Sequence, residues 1–106
     1  MTDWVRVCAT SELLPGEYRV VYDGDTPIAV FNLEGELYAI EDLCTHDGGE
    51  LTGGVIEGRE IECPRHGARF DITTGAVLCP PAYEPTPKFP VRVEGDVVYT
   101  RDDRGD

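Results

Sequence analysis

Residues 44–67 read CTHDGGELTGGVIEGREIECPRHG. This stretch holds both histidines of the chain and two of its four cysteines, arranged as Cys44-x-His46, sixteen residues, then Cys63-x-x-His66. Each pair follows a short apolar-rich run, Leu37 to Ile40 and Glu60 to Cys63, so each is placed at a loop tip just past a strand. Thiolate sulfur and neutral imidazole nitrogen are the donors that borderline and soft metals prefer. A single histidine on an apolar face is better read as a packed core residue. Here both histidines and half the cysteines would have to fall into a paired pattern by accident, which favours a metal centre closed by two neighbouring loops.

Outward from this stretch, brief apolar runs alternate with turn signals from end to end, and no dozen residues repeat apolar positions at helical spacing. The expected strands are Trp4 to Cys8, Tyr18 to Tyr22, Ile28 to Asn32, Leu37 to Ile40, Glu60 to Cys63, Arg69 to Thr73, Ala76 to Leu78, Val91 to Val93 and Val97 to Thr100. Pro15-Gly16, Asp23-Gly24, Glu34-Gly35, Thr74-Gly75 and Glu94-Gly95-Asp96 punctuate them with hairpin-turn composition. The pattern predicts an all-β, antiparallel protein whose last two strands form a closing hairpin. Helix is confined to one turn at Ser11 to Leu14, and the charged tail DDRGD after Arg101 is expected to fray.

The 106 residues suit one domain with one modest core. No apolar run approaches the roughly 20 residues of a membrane helix, and the start MTDWVRVCATSELLPG lacks the pattern of an export signal. A cytoplasmic protein that does not span a membrane is expected. The net charge of -12, from nine basic and twenty-one acidic residues, excludes nucleic acid and anionic membranes as partners and suits a partner with a basic docking face. In a reducing compartment the four cysteines are free or metal-bound rather than disulfide-bonded. Cys8 and Cys79 lack ligand-like neighbours and are expected to pack as small apolar residues.

Two segments interrupt the strands: Asp47 to Gly58, with five glycines, and Cys79 to Pro90, with five prolines. Both adjoin the cysteine and histidine pairs and are expected to be shaped around them. Three centres compete for the donors. A structural zinc site usually pairs cysteine with cysteine and histidine with histidine, whereas each half here mixes the types. A mononuclear iron centre takes two histidines and a carboxylate, which leaves Cys44 and Cys63 without a role. A [2Fe-2S] cluster with two cysteines on one iron and two histidines on the other uses all four.

Cys44-Thr45-His46 and Cys63-Pro64-Arg65-His66-Gly67 resemble the paired ligand motif of the Rieske iron-sulfur family, and the strand layout of nearly the whole chain is similar to a small Rieske ferredoxin. The resemblance implies a single domain over 1–106 with an antiparallel sandwich or barrel base (about 1–40 and 75–106) and a small cluster-binding subdomain of two ligand loops (about 41–74). It implies one Rieske-type [2Fe-2S] cluster, with Cys44 and Cys63 on the inner iron and His46 and His66 on the outer, surface iron. Pro80-Pro81-Ala82 resembles the proline loop that covers the cluster in this family.

Respiratory and photosynthetic members carry a further cysteine in each ligand loop, joined as a disulfide; the corresponding positions here look like Asp47 to Gly49 and Arg65, so no such bridge can form. Those members also place hydroxyls near the cluster, where this chain has Ala68 and Phe70, and a value toward the low end of the Rieske range, around -150 mV, is therefore expected. A low-potential single-domain chain resembles the ferredoxins that carry electrons from a flavin-containing reductase to the terminal oxygenase of bacterial aromatic-ring dioxygenase systems. The resemblance implies a monomeric one-electron carrier, not itself an enzyme, docking near His46 and His66. No histidines remain for an oxygenase active site. The small subunit of an assimilatory nitrite reductase is the alternative within the family, and a zinc-binding interaction module the alternative outside it. Arg65 and Arg69, facing Asp47 and Glu50, are candidates to orient a partner.

Overall fold

The computed structural model describes residues 3–105. Among the described residues eleven strands run in chain order: β1 (Val5–Ala9), β2 (Tyr18–Asp23), β3 (Thr26–Leu33), β4 (Glu36–Glu41), β5 (Ile56–Glu57), β6 (Glu60–Glu62), β7 (Arg69–Asp71), β8 (Val77–Cys79), β9 (Lys88–Phe89), β10 (Val91–Glu94) and β11 (Val97–Thr100). They form three antiparallel sheets, ordered β1-β11-β10, β2-β3-β4-β9 and β5-β6-β7-β8. The expected all-β class holds, and among the described residues the helical turn expected at Ser11 to Leu14 is a 3-10 turn at Thr10–Glu12.

The second sheet is the middle layer, and β3 shows why. Ile28, Ala29, Val30 and Phe31 are all fully buried, a continuous apolar run instead of the alternation of a strand with one wet face. Ala29 and Phe31 join Ile40, Cys44, Leu51, Ile61, Cys63, Ala68, Phe70, Ile72 and Ala82 in one core. Ile28 and Val30 point the other way, into a second core with Cys8, Leu13, Ala39, Phe89 and Val98. Strand periodicity thus feeds two cores from one strand. Each large apolar side chain so buried contributes about 1.5–3 kcal/mol. Cys44 and Cys63 belong to the core between the second and third sheets, so packing that holds the fold also holds the two cysteines.

Two expectations need correction. The sequence reading missed β5 and β9, two-residue strands that exist only through their partners Ile61 and Glu60 for β5, and Ala39 and Ile40 for β9. The tail is tied down rather than frayed as far as Arg104: Thr26 Oγ1 donates to Asp102 Oδ2 at 2.8 Å, the Asp102 N–H donates to Asp23 Oδ2 at 2.8 Å, and the Arg104 guanidinium lies 5.2 Å from the Phe89 ring centroid. Asp106, the end of that tail, lies outside the described residues. Among the described residues no helix is long and apolar enough to cross a membrane.

Candidate functional site

Cys44 follows β4 and Cys63 follows β6, and both loops close by the same pair of backbone hydrogen bonds. In the first, the Gly48 N–H donates to the Cys44 carbonyl at 2.8 Å and the Cys44 N–H donates to the Gly49 carbonyl at 2.8 Å. In the second, the Gly67 N–H donates to the Cys63 carbonyl at 3.1 Å and the Cys63 N–H donates to the Ala68 carbonyl at 2.6 Å. Each loop turns at its fifth residue, Gly48 with φ 76° and Gly67 with φ 78°. That conformation costs an L side chain about 1–2 kcal/mol, which glycine avoids.

The loops bring all four sequence-predicted site residues together. Cys44 and Cys63 are 0% and 1% exposed, while the His66 side chain is 51% exposed, and His46 is exposed as well. The imidazole centroids stand 4.8 Å apart at 88°. The cysteines are free thiols. Burial pushes the Cys44 thiol up, so a thiolate there requires a cation as its partner. The result is a buried sulfur end and a solvent-facing nitrogen end.

Asp47 sits between the two ends. Its oxygen and the two cysteine sulfurs lie within 4.8 Å of one another, and so do its oxygen and a nitrogen of each histidine. Two histidines and a carboxylate are the donors of a mononuclear iron site, but this carboxylate is already engaged. It accepts from Arg65 Nε at 2.5 Å, Arg65 Nη2 at 3.1 Å and the Gly49 N–H at 2.9 Å. The Arg65 guanidinium, followed by the Gly49 N–H, holds the Asp47 carboxyl well below the usual carboxylate range. A set of two close buried sulfurs and two close exposed nitrogens fits a [2Fe-2S] cluster, sulfur on one iron and nitrogen on the other.

Residues other than the four donors fix the loops. The buried Asp42 carboxylate accepts the Leu51 and Thr52 N–H groups at 2.8 Å each. Thr45 Oγ1 donates to the Glu84 carbonyl at 2.7 Å, tying the first loop to the proline-rich segment. That segment, whose Pro80–Pro81 peptide is cis, inserts Ala82 into the core beside the two cysteines. Thr45, His46, Pro81, Tyr83 and Glu84 line an open hollow, and Tyr83 is 79% exposed. The sequence reading did not single out Asp42 or Tyr83, and it named Thr45 only as part of the Cys44-Thr45-His46 motif, with no role of its own. An aspartate two residues before the first cysteine was the only signal available for Asp42.

Two supporting expectations change. Arg69 pairs with Glu57 and Glu62, each at 2.9 Å, and Glu60 at 3.6 Å, all on the third sheet, in place of the expected Asp47 and Glu50. Cys79 is only half-buried, and its Sγ donates weakly to the Gly67 carbonyl at 3.5 Å. It contacts the second loop instead of filling apolar space. Cys8 packs as expected, 5% exposed.

Comparison with known proteins bears on this geometry. A family model described as the Rieske [2Fe-2S] domain matches residues 3–90. The ferredoxin component of the naphthalene 1,2-dioxygenase system of Pseudomonas putida is 41% identical over 91 residues, covering 86% of this chain and 88% of that one. Among solved structures, the ferredoxin of carbazole 1,9a-dioxygenase from Nocardioides aromaticivorans IC177 is similar with a TM-score of 0.89 at 32% identity, covering 96% of this chain and 100% of that one. A chain in the complex of reduced oxygenase and oxidized ferredoxin in carbazole 1,9a-dioxygenase is similar with a TM-score of 0.87 at 39% identity, covering 92% of each.

Proposed function

The chain belongs to the Rieske [2Fe-2S] domain family, its cofactor is a Rieske-type [2Fe-2S] cluster, and from that premise we propose that it is the ferredoxin of an aromatic-ring dioxygenase system. It takes single electrons from a flavin-dependent reductase and passes them to a terminal Rieske non-haem iron oxygenase. Cys44, Cys63, His46 and His66 are its cluster ligands. The third sheet and the two loops form the cluster-binding part, and the first two sheets form the base.

The observation that carries this reading is the graded burial of the four donors, from sulfurs at 0% and 1% exposure to an imidazole half in solvent. When bound, the cluster accepts and donates one electron per cycle. The chain's own residues do the rest. Cys44 and Cys63 hold the inner end inside a packed core, which excludes water. His46 and His66 present ring edges outward, giving a docked partner a short route to the outer end. Ala68 and Phe70, both fully buried, offer no hydroxyl to cluster sulfur. With a net charge of -12 on the whole chain, this supports a potential near the low end of the Rieske range, about -150 mV. The same charge favours partners with a basic docking face.

The chain holds no second histidine set for oxygen chemistry, which supports a carrier and not a catalyst. The test is reconstitution: purified chain, reduced anaerobically with dithionite, gives the paramagnetic signal of a mixed sulfur and nitrogen [2Fe-2S] centre. It then restores arene oxidation when mixed with a dioxygenase reductase and oxygenase. A metallated chain that stays silent, or that carries zinc alone, overturns the proposal.

A further inference from the structure

The two ligand loops meet through two cross-loop pairs, and the pairs are related to each other. Counted from its cysteine, the third residue of the first loop, His46, faces the fourth of the second, His66, with ring centroids 4.8 Å apart. Reciprocally, the fourth residue of the first loop, Asp47, faces the third of the second, Arg65, with Nε to Oδ2 at 2.5 Å. Because both loops close by the same backbone bonds, an approximate two-fold relates them, and the ion pair is the counterpart of the histidine pair.

We propose that Asp47 and Arg65 form an inter-loop clamp, positioning residues that set the separation of His46 and His66. This rests on the reading of the two histidines as cluster ligands. The loop-closing backbone bonds lie within each loop, so they fix loop shape and leave the gap between loops to side chains. No disulfide spans it, since Cys8, Cys44, Cys63 and Cys79 are all free.

The pair is built for this task on both sides. Asp47 Oδ1 accepts the Gly49 N–H at 2.9 Å, which orients the carboxylate before Arg65 arrives. Arg65 then donates from Nε and Nη2, the two-pronged geometry that fixes direction as well as distance. A Cβ at residue 49 would stand 2.5 Å from both Cζ and Nη2 of Arg65. Glycine at 49 is therefore what lets the guanidinium lie against the first loop. Asp47 Oδ2 also stands 3.5 Å from His66 Nδ1, so the clamp touches a ligand ring directly.

The experiment compares cluster release into a ferrous chelator, followed by loss of visible absorbance, in the loaded wild-type chain and in D47N, R65Q, G49A and D47N/R65Q. Removing a partly exposed ion pair accelerates release up to about fivefold. G49A, which keeps every charge and displaces only the guanidinium, accelerates it to the same degree as R65Q. The double variant releases no faster than the faster single one, as expected of two halves of one device. R65K, which keeps the charge and loses the fork, lies between wild type and R65Q. Midpoint potentials supply a second readout: D47N raises it, R65Q lowers it, and the double variant returns toward wild type. Release at the wild-type rate in all variants, effects that multiply in the double variant, or potential shifts of the same sign in both single variants overturn the clamp. A wild-type chain that takes up no iron and sulfide overturns the ligand assignment itself.

Discussion

Asp42 and Thr52 are joined twice: the Thr52 N–H donates to Asp42 Oδ1 at 2.8 Å, and Thr52 Oγ1 donates to Asp42 Oδ2 at 2.7 Å. Asp42 is only 3% exposed, and its Oδ1 also takes the Leu51 N–H. One buried carboxylate thus anchors Leu51 and Thr52 in the middle of the glycine-rich stretch that begins inside the first ligand loop. Asp42→Ala leaves those donors buried without partners, at a cost of about 1–3 kcal/mol. Urea denaturation of the loaded chain measures this as a lowered midpoint. Asp42→Asn keeps one acceptor oxygen and is expected to cost less.

The C-terminal segment makes stability depend on pH. Arg104 donates to Asp102 Oδ2 from Nη2 at 2.7 Å, Thr26 donates to the same carboxylate at 2.8 Å, and Arg104 also meets Glu41 at 3.2 Å. The Arg104 guanidinium holds the Asp102 carboxyl well below the usual range. The folded chain therefore binds a proton at Asp102 less readily than the unfolded chain, in which the group titrates near 3.9, a value of about 4 being ordinary. The resulting stabilisation is complete above the unfolded value and is lost as pH falls through the lower folded one. Asp102→Asn is expected to be less stable than wild type by about 1 kcal/mol above pH ~5, with the gap closing below pH ~4. Unfolding midpoints of both chains across that range check it.

Nine strands were legible because their apolar runs are bounded by glycine-containing turns, as in Val91-Arg92-Val93 and Val97-Val98-Tyr99 about Glu94-Gly95-Asp96. The four ligands were legible for a different reason: rare residue types at fixed short spacing. What escaped was set by distant partners. Lys88–Phe89 lies between Pro87 and Pro90, a composition that argues against a strand, and it becomes one only by pairing with Ala39 and Ile40. Arg104 reads as part of a loose charged tail until the fold brings up Glu41 and Phe89. Asp47 and Arg65 were placed in facing loops, but their pairing follows from the crosswise meeting of the loops, which spacing alone does not reveal.

The four cysteines are expected to divide sharply in function. On the proposed assignment Cys63→Ser abolishes cluster binding, since a hydroxyl is a much poorer iron ligand than the thiolate it would replace beside Cys44. Cys8 lies in the other core, 5% exposed, and burial pushes its thiol up, so it stays protonated and unreactive. Cys8→Ala is expected to retain iron and sulfide at wild-type levels and to lose about 1 kcal/mol of stability from core packing. Iron and acid-labile sulfide per chain, measured for both variants, separate the two roles.

At Gly54 the glycine-rich stretch runs directly against the backbone of β6. A Cβ there would stand 1.7 Å from the Glu62 carbonyl oxygen, and that atom is backbone, which cannot swing aside as a side-chain tip can. The neighbouring bond from the Glu62 N–H to the Val55 carbonyl, at 2.9 Å, holds the two segments together at this point. Gly54→Ala must push the stretch away from β6, weakening that bond one residue before Cys63. The cost is expected at about 1–3 kcal/mol, the range for overpacking at a site that cannot relax. Because the displacement is passed to Cys63, cluster release is expected to quicken in parallel. Gly53→Ala next to it meets no atom within 4 Å but carries φ 98°, so it strains the backbone without displacing Glu62. Measured side by side, Gly54→Ala lowers both the unfolding midpoint and cluster retention, whereas Gly53→Ala lowers the midpoint and leaves retention near wild type.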